Sequence, residues 1–98
     1  MGMMRYPNGD IYNGDWYGGE RTGVGFMQYH NGDVYQGRWL ADARHGKGRY
    51  NWASGEEFLG EFNENHMVQG IFVNSEGLNT DIKLKDPNTT DRSFRTML

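Results

Sequence analysis

Side chains able to move protons, hold metals or attack carbonyls are present in this chain, but their spacing suits none of those tasks. His30, His45 and His66 lie 15 and 21 residues apart in segments that read as turns, without the short spacing of a metal site. Glu56, Glu57 and Glu61 crowd carboxylates together, yet neighbouring strand residues point to opposite faces. Ser54, Ser75 and Ser93 lack the strand–turn–helix setting of a nucleophile elbow. Gly23-Val24-Gly25 and Gly46-Lys47-Gly48 have the look of phosphate-binding loops, but no helical pattern follows either, and such a loop needs one. The chain has no cysteine, which excludes disulfides, thiolate metal sites and cysteine nucleophiles. No catalytic, metal or cofactor constellation emerges.

What the chain offers instead is rings. Six Tyr, five Phe and three Trp are set among 15 Gly, a mixture that suits a ribbon of strands better than a globule with an aliphatic centre. With 98 residues the chain is at most one domain. A chain this short buries only roughly 60–65% of its unfolded surface, so the core must be thin. The net charge of −3 argues against nucleic acid, whose binding rests on neutralising phosphates. Arg44, Lys47 and Arg49, with Arg38 upstream, form the densest basic cluster. They read either as a lipid-headgroup patch or, because Asp42, Glu56 and Glu57 lie close by, as a solvated mixed-charge face. Alternation puts Lys47 and Arg49 on one side, away from the rings. The acidic balance disfavours a membrane surface as partner, and no apolar run approaches transmembrane length.

The elements that hold the rings repeat. Twenty-three residues separate Tyr12 from Tyr35, and twenty-three separate Tyr35 from Phe58. Around them the same word recurs: Tyr12-Asn13-Gly14-Asp15-Trp16, Tyr35-Gln36-Gly37-Arg38-Trp39, Phe58-Leu59-Gly60-Glu61-Phe62. A fixed period of this size marks stacked units that cannot bury their apolar faces alone. In a strand, Tyr12, Gly14 and Trp16 share a face, and the glycine leaves room for a ring over bare backbone. A turn over Tyr17–Thr22 or Leu40–His45 follows. A second strand then opens on the paired glycines and carries Met27 and Tyr29, or Tyr50 and Trp52, on one face. Asn31-Gly32-Asp33 and Ser54-Gly55-Glu56 turn the chain into the next unit. Asn-Gly is a strong short-range hairpin signal, since both residues tolerate positive φ.

The register extends outward. Gly2–Gly9 aligns with Gly25–Gly32, so the array begins on the second strand of a unit, and Gly70–Gly77 supplies the last such strand. One residue is missing between Phe62 and Gly70. The array therefore has a leading half unit and three whole ones.

This pattern of aromatic-x-Gly-x-aromatic, Gly-x-Gly and Asn-Gly-Asp resembles the MORN repeat family, over residues 2–77. The third copy departs, with Phe58 and Phe62 in place of Tyr and Trp and only Gly70 left of the glycine pair. The resemblance implies an all-β fold, an open twisted antiparallel β-meander of 23-residue hairpin repeats whose aromatic face lines a shallow groove. It also implies a non-enzymatic scaffold or adaptor, a small subunit of an intracellular cytoskeletal or ciliary/axonemal assembly. A peripheral phospholipid-binding module, or a fragment of a longer MORN protein with its enzyme elsewhere, are the alternatives.

Residues 1–77 thus form the array and 78–98 a tail. Within the tail, 81–85 alternates like an edge strand, and 90–98 reads as a short helix with Phe94, Met97 and Leu98 on one side. Too short to be stable alone, that helix must dock. The partner-binding candidates are Tyr12, Trp16, Tyr29, Tyr35, Trp39, Tyr50, Trp52, Phe94, Met97 and Leu98. The partners are other protein chains, engaged through the aromatic groove, the free sheet edges and the tail.

Overall fold

The aromatic-x-Gly-x-aromatic words are strands, and each is followed by an antiparallel mate. The computed structural model describes residues 1–83. In chain order its strands are β1 (Gly2–Arg5), β2 (Ile11–Tyr17), β3 (Glu20–Gln28), β4 (Val34–Leu40), β5 (Ala43–Asn51), β6 (Glu57–Asn63), β7 (His66–Val73) and β8 (Asn79–Lys83). Each pairs antiparallel with the next in one eight-stranded sheet, and no helix occurs among the described residues. The fold is the open antiparallel meander that the family resemblance implies. β8 begins two residues before the segment marked by alternation, 81–85. The helix read at 90–98, with Phe94, Met97 and Leu98, lies outside the described residues.

Register explains why these residues form this sheet. Gly2, Gly14, Gly25, Gly37, Gly48, Gly60 and Gly70 face one another in succession, a stripe of bare backbone across seven strands. Beside it runs a row of Met4, Tyr12, Met27, Tyr35, Tyr50, Phe58 and Phe72. The Tyr12 ring leans over Gly14 and Gly25, and a Cβ on Gly25 would lie inside it; Tyr35 covers Gly37 and Gly48 in the same way. Tyr12, Tyr35 and Phe58 are each 0% exposed although the sheet has one layer. Each hydroxyl crosses the stripe to donate to a carbonyl, Tyr12 to Asp15 at 2.9 Å and Tyr35 to Arg38 at 2.8 Å.

The turns differ from the expectation twice. The turns inside units are shorter than Tyr17–Thr22 and Leu40–His45, because pairing continues to Tyr17↔Glu20 and Leu40↔Ala43. Only two residues remain in each, and both take positive φ: Gly18 and Gly19, Ala41 and Asp42, Glu64 and Asn65. Such a turn follows the right-handed twist of the strands it joins. His45 and His66 accordingly lie in strands. Between units, only the glycine is left-handed: Gly9, Gly32, Gly55 and Gly77. Asn31 takes no positive φ; its side chain accepts the Asp33 amide at 3.0 Å, as Asn8 does for Asp10 and Asn74 for Glu76. The asparagine supplies a side-chain acceptor instead of a strained backbone.

The missing residue of the third unit also has a location. Gly14 faces Gly25 while Trp16 faces Arg21, so β3 carries a bulge of two extra residues, and β5 repeats it. The first glycine of each Gly-x-Gly pair sits there with positive φ, Gly23 at 109° and Gly46 at 83°. In β7 the pairing Glu61↔Gln69 passes directly to Phe62↔Met67, and the bulge is one residue smaller. The glycine under the ring, Gly70, is kept, and its bulge companion is the one lost.

Candidate partner-binding face

Rings on the core face touch edge-on across the sheet. Trp16, Tyr12, Trp39, Tyr35, Phe62 and Phe58 meet in that order with centroids 5.0–5.4 Å apart and planes near perpendicular. Edge-to-face contact sets a positive ring edge against a negative face and adds to the gain from burial. The indoles are tethered one unit back, Trp16 Nε1 donating to the Gly2 carbonyl at 3.1 Å and Trp39 Nε1 to Gly25 at 3.3 Å.

A second line of rings runs nearer the inter-unit turns. Tyr29 stacks on Tyr50 at 5.9 Å, Tyr50 meets Trp52 at 4.9 Å, and Trp52 meets Phe72 at 5.7 Å. Of the sequence candidates, Tyr12, Tyr35, Trp39 and Tyr50 are buried within the chain itself. Trp16, Tyr29 and Trp52 are half-buried and pack on the core, as does Tyr6, which the candidates did not include. Tyr6, Tyr29 and Trp52 occupy the same place in successive units, so the half-open rings form a rim one ring per unit.

Burial pushes the phenols of Tyr12, Tyr29, Tyr35 and Tyr50 above their ordinary range. For Tyr50 the hydrogen bond it donates to Asp33 at 2.7 Å adds to that effect. The hydroxyls of Tyr12, Tyr35 and Tyr50 act as donors, whereas that of Tyr29 accepts from Arg44.

Two arginines cover the rings, and the sequence reading missed both. Arg21 lies over Tyr6, Tyr12 and Trp39, its guanidinium carbon 4.8 Å from the Trp39 centroid. Arg44 lies over Tyr29, Tyr35, Tyr50 and Phe62, 5.2 Å from Tyr50. Arg44 therefore does not join Lys47 and Arg49: those two are exposed on the opposite face, where Arg49 pairs with Glu57 at 3.1 Å. The signal was available in the strand parity. Arg44 shares its parity with Gly48 and Tyr50, and a two-residue bulge preserves parity. Reading the residue as part of a turn concealed it.

The arginines and Tyr29 border an open cleft of about 430 Å³ lined also by His30, Asp33 and Asn65 among others. His30 donates its amide to Asp10 at 2.8 Å, and its ring approaches the same carboxylate at 3.0 Å. Burial works against the charged form of Asp10, but the hydrogen bonds from His30 outweigh it and hold the carboxyl below its usual range. Among the described residues no three His, Asp or Glu side chains converge on a point that would hold a metal ion.

Comparison with known proteins agrees with this geometry. The MORN repeat family model matches residues 12–34 and 35–57, each span running from one core tyrosine to the residue before the next core aromatic. Among curated proteins, none matches the chain.

Proposed function

The chain is a MORN-repeat protein, and from that premise we propose that it is a non-catalytic module that holds a segment of another protein against its aromatic face. MORN repeats are interaction modules for proteins or membranes. The observation that carries the protein reading is the rim of Tyr6, Tyr29 and Trp52: half-buried rings, one per unit, on a sheet with no second layer among the described residues. Half-buried aromatic rings in a row offer a ready surface for a protein contact. Tyr and Trp suit it, since each brings large contact area with few rotamers to freeze.

At the finer level we propose a scaffold or adaptor role, as a small subunit of an intracellular assembly of the cytoskeletal or ciliary/axonemal kind, with free sheet edges and the 78–98 tail as further contacts. The opposite face supports lipid binding less well, because Lys47 lies in register with Glu61 and Arg49 is ion-paired with Glu57.

Tyr29 and Trp52 replaced together by Ser test the reading, with the fold checked by circular dichroism. Affinity capture with the folded variant should lose the partners that the unaltered chain recovers. An unchanged set of partners would overturn the aromatic face as the binding surface. Sedimentation with anionic vesicles, salt-sensitive and abolished by Lys47→Gln, would give the function to the opposite face instead.

A further inference from the structure

The repeat provides an internal control for its own chemistry. Arg21 and Arg44 are one period apart, as are Asp42 and Asn65. In the first pair the backbone amide of Arg21 donates to Asp42 Oδ1 at 2.9 Å, Nε donates to the same oxygen at 3.0 Å, and Nη2 to the Asp42 carbonyl at 2.9 Å. The guanidinium is thus neutralised by a carboxylate of the next hairpin turn. In the second pair the backbone contacts persist, the amide of Arg44 to Asn65 Oδ1 at 2.9 Å and Nη2 to the Asn65 carbonyl at 3.1 Å. The charge contact does not. Asn65 carries no negative charge, Nη1 turns to Tyr29 Oη at 3.3 Å, and Nε is buried with no hydrogen-bond partner.

The other acids of the cleft are occupied. Asp42 holds Arg21, Asp10 holds His30, and Asp33 accepts from Tyr50 Oη at 2.7 Å and from the Ala53 amide at 2.8 Å. Among the described residues Arg44 is left as a cation with no opposing carboxylate, set among four aromatic rings at the wall of an open cleft. A partly desolvated guanidinium that no carboxylate neutralises gains more from an incoming carboxylate than a solvated one does.

We propose that Arg44 anchors an Asp or Glu side chain of the bound protein segment, which supplies at the cleft the negative charge that Asp42 gives Arg21 and Asn65 does not give Arg44. The inference rests on the aromatic face being a protein-binding surface and names what that surface selects. It also separates two neighbouring steps of the array. The Arg21 step is closed by its own aspartate. In the third unit Met67 stands at the arginine position, is 1% exposed, and offers an acid nothing. One carboxylate at one register is what the face reads.

Two substitutions already accepted within the chain provide the test. Asn65→Asp recreates Asp42, and Asp42 shows that aspartate tolerates this turn, with φ of 69° there and 73° at Asn65. Arg44→Met recreates the buried Met67. The probe is an immobilised array of octapeptide pairs, each pair differing only by a central Glu or Gln. The unaltered chain should retain Glu peptides roughly tenfold over their Gln twins, the weight of one charge-assisted hydrogen bond. Asn65→Asp should lose that preference and melt at a higher temperature, and Arg44→Met should lose the preference while still retaining peptides. Peptide binding without a Glu preference would overturn the anchor and leave the protein-binding face standing. No peptide binding at all would overturn both. Capture by phosphatidylserine vesicles that disappears in Asn65→Asp, with no Glu preference in the array, would overturn the anchor by assigning Arg44 to a lipid phosphate.

Discussion

A tyrosine laid flat over two glycines is the unit of construction at the scale of single residues. Neither residue type works without the other: any side chain at Gly25 would occupy the space of the Tyr12 ring, and at Gly48 that of Tyr35. Gly25→Ala should therefore displace Tyr12, break its bond to the Asp15 carbonyl and cost about 2–3 kcal/mol, the upper range for overpacking a close-packed site. Gly18→Ala meets nothing within 4 Å and bears only a left-handed φ of 59°, so about 1–2 kcal/mol is expected. Denaturant titration of the two variants checks the ranking; equal losses would mean that the ring does not depend on bare backbone. The Tyr-x-Gly-x-Trp word was legible in the sequence because it carries its period with it. The arginines were not, because Arg21 and Arg44 stand just after tight turns, where local composition says loop and only register says sheet face.

At the scale of elements, the turns inside units carry the tension of the design. Two-residue turns with positive φ at both positions favour Asn and Gly, yet Ala41 and Glu64 open two of them, each with φ of 48°. Ala41→Asn and Glu64→Asn should each stabilise the fold by about 1 kcal/mol, read as a higher melting temperature, since they relieve a left-handed strain that Ala and Glu bear poorly. A fall in melting temperature would show that these side chains make contacts worth more than the strain. The second turn residue is different, because Asp42 ties one hairpin to the next. Hydrogen bonds from the Arg21 amide, and then from its side chain, hold the Asp42 carboxyl below its usual range against the opposing effect of burial. For Asp10 burial is the largest single effect and opposes the lowering, but the hydrogen bonds from His30 and Asn8 together outweigh it. A carboxyl whose folded value is depressed adds stability above its unfolded value, about 4, and that stability fades as pH falls through the folded value. Thermal melting should therefore drop in acid below about pH 4, and Asp42→Asn should flatten part of that drop. That the chain turns between units was readable from Asn-Gly and Ser-Gly, and inside the first two units from the small and polar residues there. Which turns take two left-handed residues and which take one was not, because strand pairing fixes turn length and is not written locally.

Across the whole molecule, a single sheet must act as its own core, and the edge-to-face ring line from Trp16 to Phe58 makes that work. Trp39 sits at its middle. It touches Tyr12 on one side at 5.4 Å and Tyr35 on the other at 5.2 Å, bears the Arg21 guanidinium, and is 4% exposed. Removing it costs more than one packed ring, because no other aromatic contact of that line joins the first unit to the second. Trp39→Ala should cost about 3–5 kcal/mol, the usual range for a buried aromatic. That approaches the whole stability of a chain this size, on the order of 5–15 kcal/mol. Stability in a stacked array is a sum of unit terms and nearest-neighbour terms, so losing one interface should also divide the cooperative unit. The unaltered chain should melt in one transition. In Trp39→Ala, amides of β2 and β3 should exchange with solvent ahead of those of β5, β6 and β7, where Tyr35, Phe58 and Phe62 still pack on one another. Hydrogen exchange followed strand by strand distinguishes the outcomes. Uniform acceleration across the sheet would mean that backbone pairing alone couples the units, and unchanged exchange would mean that Trp39 serves the partner and not the fold.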